Sequence, residues 1–226
     1  MVRELTSGVW WIDLGRFNAY LVEDDVLTLV DAGLPWHADR IRAEILAAGF
    51  AVEDLERILV THFDLDHVGG LPAFDRVGEI FVGKADADFV AKRRRPPLSN
   101  RKTAFQRVAD LVRSAPPVPV TPIEDGETVG SFTAIHTPGH TAGHTAFLST
   151  DRDVAFVGDL VFSDGVSLSP SPWHLSQDVG AVRESILALD DAMPVVDVLA
   201  PGHGDPLVDG GYGAIAELAE SVREDA

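Results

Sequence analysis

The sequence predicts a mixed α/β domain of stacked layers, and three observations lead there. Residues 8–31 read as a β-meander, later apolar strands each run into a loop rich in Gly, His and Asp, and helix-period segments alternate with those strands. Neither G-x-G-x-x-G nor G-x-x-x-x-G-K-S/T occurs, so nucleotide-binding folds lack support.

Taken in order, Gly8–Leu14, Asn18–Glu23 and Val26–Asp31 are rich in Val, Ile, Trp, Tyr and Thr, with a turn at Glu23-Asp24-Asp25. Residues 36–48 carry helical spacing through Ile41, Ile45 and Leu46 and stop at Gly49. A strand is expected at 57–61, a short helix at Leu71–Phe74 and a strand at Glu79–Val82. Helices are expected at 84–95 and 99–114, parted by Pro96-Pro97, and together they read as a helical insertion at about 84–114 within one domain spanning 1–226. Beyond the proline-rich 116–122, strands return at Ser131–Thr137, His144–Thr150 and Val154–Gly158. A Ser/Pro-rich loop at 163–175, a helix at 176–190, the strand Val195–Ala200 and a helix at 211–223 complete the chain.

The 226 residues, 46% hydrophobic, supply ample core. No run of eighteen apolar residues occurs and the N-terminus lacks the pattern of a signal peptide, so a cytoplasmic protein with no membrane partner is expected. With no cysteine, any metal must be held by N and O ligands. The net charge of −18 argues against nucleic acid as a partner. A small-molecule substrate is expected, and a homodimer is left open.

The densest chemistry lies in residues 57–70. The apolar Ile58-Leu59-Val60 leads directly into His62, Asp64, Asp66 and His67, with Gly69 and Gly70 after them. Packing alone does not call for so many polar groups at the end of a buried strand, and unpaired they would be costly to bury. One cation or a pair would compensate them together. Three later loops offer further ligands: Thr137-Pro138-Gly139-His140, Gly158-Asp159 and Pro201-Gly202-His203-Gly204-Asp205.

The ordered set His-x-Asp-x-Asp-His, Thr-Pro-Gly-His, Gly-Asp and Gly-His-Gly, with Asp31-Ala32-Gly33 before it, resembles the metallo-β-lactamase superfamily over about residues 9–206. That resemblance implies a four-layer αββα sandwich with two divalent metal ions at one edge of its sheets. By position His62, Asp64 and His140 would hold the first ion, Asp66, His67 and His203 the second, and Asp159 would bridge them. Asp31 would orient a ligating histidine, and His144 would support the ligands without binding metal. One residue departs from the commonest pattern: Asp64 stands where a second histidine is usual. A carboxylate is a harder, charged ligand and shifts preference towards manganese or iron; zinc is expected, with those two as alternatives. Flavodiiron proteins, a redox branch of the superfamily, also place a carboxylate there.

The expected function is a metal-dependent hydrolase of the glyoxalase II/lactonase-like kind. Metal-activated hydroxide would attack an ester, thioester or lactone, with Asp66 as the catalytic proton carrier. The alternatives are an iron-dependent oxygenase or reductase on the same scaffold, and a non-catalytic metal-binding regulator. Trp173 and His174 are candidates for the substrate pocket, and the Lys92–Arg95 run for attracting an anion.

Overall fold

The computed structural model describes residues 2–225. Seven strands form the first sheet in chain order: β1 (Val2–Thr6), β2 (Val9–Asp13), β3 (Asn18–Glu23), β4 (Leu27–Val30), β5 (Leu55–Val60), β6 (Glu79–Gly83) and β7 (Val120–Ile123). Its first four strands are antiparallel, and β4 to β7 run parallel. The helix α1 (Ala38–Ala47) makes the crossover between β4 and β5. The short α2 (Leu65–Val68) follows β5, α3 (Lys84–Val90) follows β6, and α4 (Arg101–Ala109) lies between α3 and β7.

The second sheet has five strands: β8 (Thr128–Val129), β9 (Phe132–His136), β10 (Thr145–Ser149), β11 (Val154–Gly158) and, across the sheet, β14 (Val198–Pro201). A separate hairpin, β12 (Val161–Ser163) with β13 (Leu168–Pro170), follows β11. The helices α5 (Val179–Ala192) and α6 (Gly211–Glu224) flank β14 in sequence.

Strand side chains alternate in direction, and the alternation builds the layers. Tyr20, Val22, Val30 and Leu59 meet Phe132, Phe147, Phe156 and Ala200 between the two sheets. Their strand neighbours Leu21, Leu29, Ile58 and Val60 point outward, in one cluster with Ile41 and Ile45 of α1. On the second sheet Ala146, Leu148, Ala155 and Val157 point outward to Val182, Ile186 and Leu189 of α5 and to Ile215, Leu218 and Val222 of α6. Three stacked cores separate four layers, which is the αββα sandwich the resemblance implied.

Several expected elements differ in place. The helix expected at 84–95 ends at Val90, and Lys92 adopts a left-handed φ of 56°. The helix expected at 99–114 is α4 with a 3-10 turn at Asp110–Val112, and Leu71–Ala73 is a 3-10 turn. Strand β7 lies in the proline-rich stretch; as the last strand of its sheet it tolerates Pro122. The loop expected at 163–175 contains the second strand of the β12–β13 hairpin.

Asp86 of α3 ties the two sheets together beside the loops that carry His62 and His140. Its carboxylate accepts from the backbone N of Phe63 (3.2 Å) and Gly143 (2.9 Å) and from Thr141 Oγ1 (2.6 Å). The contact is tight enough to require glycine, because a Cβ at Gly143 would lie 2.4 Å from Asp86 N. Burial pushes the Asp86 carboxyl up to about 7, against an ordinary 3.8. The folded chain therefore keeps a proton in this interval that the unfolded chain has lost. The stability from this group is complete below the unfolded value and is lost as pH rises through about 7. Asp86→Asn is neutral at every pH. The unfolding free energy of the wild type, measured by urea titration relative to this variant, is expected to fall between pH 4.5 and 7.5 by at most about 1.4 kcal/mol per pH unit. A pH-independent difference would contradict the assignment.

Candidate metal centre

The polar residues singled out in the sequence converge at one end of the two sheets. His62, Asp64, Asp66 and His67 follow β5, His140 follows β9, Asp159 follows β11 and His203 follows β14. Asp64 sits at the N-cap position of α2, and the helical turn sets Asp66 and His67 beside it. Gly202 lets the last loop come close: a Cβ there would lie 2.1 Å from Asp159 Oδ1 and 2.7 Å from His67 Cε1.

Asp159 is the hub. Its Oδ1 is 3.3 Å from His67 Nε2, and its Oδ2 lies 3.1 Å from His203 Nε2, 3.4 Å from His140 Nε2 and 4.0 Å from His62 Nε2. Asp66 Oδ2 is 3.4 Å from His203 Nε2 and 3.9 Å from His67 Nε2. Asp64 Oδ2 is 3.0 Å from His140 Nε2 and 3.5 Å from His62 Nε2. Ligand atoms fall into three sets of metal-site dimensions: His62/His67/Asp159, His62/Asp64/His140 and Asp66/His67/His203.

Hydrogen bonds on the far side of each ring fix which nitrogen faces this centre. His67 Nδ1 is 2.7 Å from Asp31 Oδ2, and a carboxylate only accepts, so the proton is on Nδ1. Thr61 Oγ1 donates to the same Asp31 oxygen (2.7 Å), so it must accept from His62 Nδ1 at 3.0 Å. His203 Nδ1 donates to the Arg16 carbonyl (2.8 Å). The three Nε2 atoms are thereby turned inward. His144 holds the hub itself: its Nε2 accepts from Asp159 N (3.0 Å) while Nδ1 faces Thr137 Oγ1 (2.8 Å). Aromatic rings fix His203 further, with Phe162 stacked at 4.7 Å and Phe17 edge-on at 5.3 Å.

Electrostatically the centre calls for positive charge. Burial disfavours protonation of His203, yet the Asp159 and Asp66 carboxylates outweigh it and push its pKa up to about 10. Burial also opposes a charge on His67, and Asp31, Asp159 and Asp66 again raise it well above its usual value. His62 moves the other way, held well below its usual value by burial and by His67 and His140. Among the described residues, His62 Nε2, His67 Nε2 and Asp159 Oδ1 are buried without a hydrogen-bond partner, a costly state unless something else compensates them.

Three participants were not singled out in the sequence. Lys102 of α4, 7% exposed, places Nζ 2.7 Å from Asp64 Oδ2 and 2.5 Å from His140 Nε2. Gln106, one turn further on, donates to Asp64 Oδ1 and accepts from Gln177 Nε2 (3.1 Å). Asp86 braces the loop from outside. The available signal for the first two was their i,i+4 spacing on one helix face together with the scarcity of lysine, of which the chain has only Lys84, Lys92 and Lys102.

The centre opens into a cavity of about 640 Å³, with walls including Phe17, Phe63, Leu65 and Phe105 and with Lys102 and Asp66 at its polar end. Arg16 and Arg101 also line it, as does His174. Trp173 is largely exposed, with the Arg101 guanidinium 5.7 Å from its ring centroid. Residues of the Lys92–Arg95 run do not line the cavity: Lys92 Nζ donates to the Asp110 and Arg113 carbonyls, and Arg93 pairs with Asp88.

The profile of the Metallo-beta-lactamase superfamily matches residues 13–203. The acyl-coenzyme A thioesterase MBLAC2 of Homo sapiens is 28% identical over 236 aligned positions, spanning 89% of this chain and 80% of that protein. An uncharacterized protein of Bacillus subtilis, YobT, is 29% identical over 199, spanning 83% and 82%. Among solved structures, a metallo-beta-lactamase family protein from Thermus thermophilus superposes with a TM-score of 0.72 at 23% identity, over 98% of this chain and 81% of that one. BJP-1, a subclass B3 metallo-beta-lactamase of Bradyrhizobium japonicum, gives 0.71 at 22% identity, over 99% and 91%. Among the described residues, no helix is long and apolar enough to cross a membrane. With the profile matched along most of its length and the αββα layers in place, the chain belongs to the metallo-β-lactamase superfamily.

Proposed function

We propose that the chain is a metal-dependent hydrolase acting on thioesters of apolar acyl groups. The observation that carries this reading is a set of unpartnered donors that reaches a largely apolar cavity through Asp159. His67 Nε2 and Asp159 Oδ1 have no hydrogen-bond partner among the described residues, and His203 Nε2 and Asp66 Oδ2 face the same space, so the donor set fits a divalent cation. Asp66, His67, Asp159 and His203 would hold it. Bound there, such an ion supplies a Lewis acid and lowers the pKa of coordinated water towards neutrality.

The chain's own residues do the rest. Asp31, the Arg16 carbonyl and His144 keep His67, His203 and Asp159 aimed, so little reorganisation is needed during reaction. Asp66, only partly buried at the cavity wall, can take a proton from water and return it to the departing thiolate. Phe17, Phe63, Leu65 and Phe105 suit an alkyl chain and exclude water from it. Arg16 and Arg101 suit an anionic carrier group on the leaving side. The relative named as an acyl-coenzyme A thioesterase supports the thioester over the ester and lactone.

A panel of acyl-coenzyme A thioesters of increasing length, set beside aryl esters, lactones and phosphodiesters, tests the reading. The expected result is kcat/KM rising with acyl length, lost with a chelator and restored by added metal; activity indifferent to both would contradict it. Asp31→Ala is expected to weaken metal binding by about 10–100-fold, because His67 loses the partner that fixes its ring. Calorimetric titration checks this, and an unchanged affinity would remove Asp31 from the role.

A further inference from the structure

We propose that Lys102 takes the place of the first metal ion, so that the chain holds a single divalent cation and sets a lysine ammonium beside it. The inference rests on the metal reading of the site and concerns its other half, where His62, Asp64 and His140 would have held a first ion.

The donor atoms there are already engaged. His140 Nε2 has Lys102 Nζ at 2.5 Å and Asp64 Oδ2 at 3.0 Å; an ammonium has no lone pair, so the shorter contact makes the nitrogen the acceptor, and the Nδ1 proton faces Ser171 Oγ at 2.8 Å. An imidazole nitrogen offers one lone pair in the ring plane, and here the lysine takes it. Asp64 Oδ2 is taken by the same ammonium at 2.7 Å, and Oδ1 by Gln106. Of that set only His62 Nε2 is left without a partner, and it lies within ligand distance of His67 and Asp159 on the other side. The bare donors therefore gather on the side of the centre away from Lys102.

The unusual carboxylate at position 64 follows from this. A histidine there would be neutral and could not neutralise a buried ammonium, whereas Asp64 forms a close ion pair with it. Lys102, Gln106 and Asp64 thus form one device, delivered by α4, in which a fixed single charge replaces an exchangeable double one. An ammonium has three N–H groups. One donates to His140, Asp64 lies 2.7 Å away as the ion-pair partner, and Lys102 also lines the cavity. An N–H not given to His140 is available to the acyl oxygen of a bound thioester.

The test counts metal. Protein stripped with a chelator and titrated with Zn²⁺ or Mn²⁺ is expected to bind one ion per chain, and Lys102→Met to bind two, by calorimetry and by elemental analysis after desalting. Two ions in the wild type, or one in Lys102→Met, would overturn the proposal. No bound ion in either would remove the metal reading and this inference with it. Should Lys102→Met fail to fold, amine labelling of the metal-loaded wild type decides. The exposed Lys84 should label readily and Lys102 should not; labelling of Lys102 at the rate of Lys84 would mean that metal has displaced it, and would overturn the proposal.

Discussion

Four carboxylates, those of Asp31, Asp64, Asp66 and Asp159, and four inward-facing imidazole nitrogens share one end of the sandwich, and their common need is positive charge. Buried ionised carboxylates are tolerated only when paired. The raised pKa values of His67 and His203 express the same need, since a proton on either ring partly meets what a cation would meet better. The ring orientations, the loop glycines and the lysine of α4 all follow from supplying charge to this one region.

Sheet architecture makes the convergence possible. Strands β5, β9, β11 and β14 end at the same edge, so short loops carry His and Asp side chains distant in sequence to within a few ångströms. The supporting hydrogen bonds are buried: Asp31 at the end of β4 serves both Thr61 and His67 on the neighbouring strand's loop, and Asn18 and Tyr20 of β3 donate across the sheets to the Pro201 carbonyl, steadying the loop of His203. Packing between the sheets thus fixes the positions of these His and Asp side chains.

Much of this was legible in the sequence. The meander, the apolar strands and the ligand loops carry local signals, because alternation and glycine-flanked His and Asp are patterns of neighbouring residues. Asp31 and His144 were also readable, through the resemblance, as supports of the candidate ligands, and they hydrogen-bond to His67 and Asp159. Strand β7 was not, since its proline content masks an edge strand that only the rest of the sheet defines. Lys102 was hidden for a different reason. It is one cation in a basic helical stretch, and its i,i+4 spacing to Gln106 puts both on one helix face without saying whether that face meets the centre or solvent. Its position depends on how α4 packs over the β5 loop, which is a tertiary fact.

Asp64, an oddity in the sequence, becomes in the structure the partner of a buried ammonium. The most direct test is anomalous diffraction from crystals of the protein grown with Mn²⁺ or Zn²⁺. The account predicts one strong peak per chain among Asp66, His67, Asp159 and His203, with Lys102 Nζ still between Asp64 and His140. A second peak among His62, Asp64 and His140, with Lys102 turned away, would contradict it.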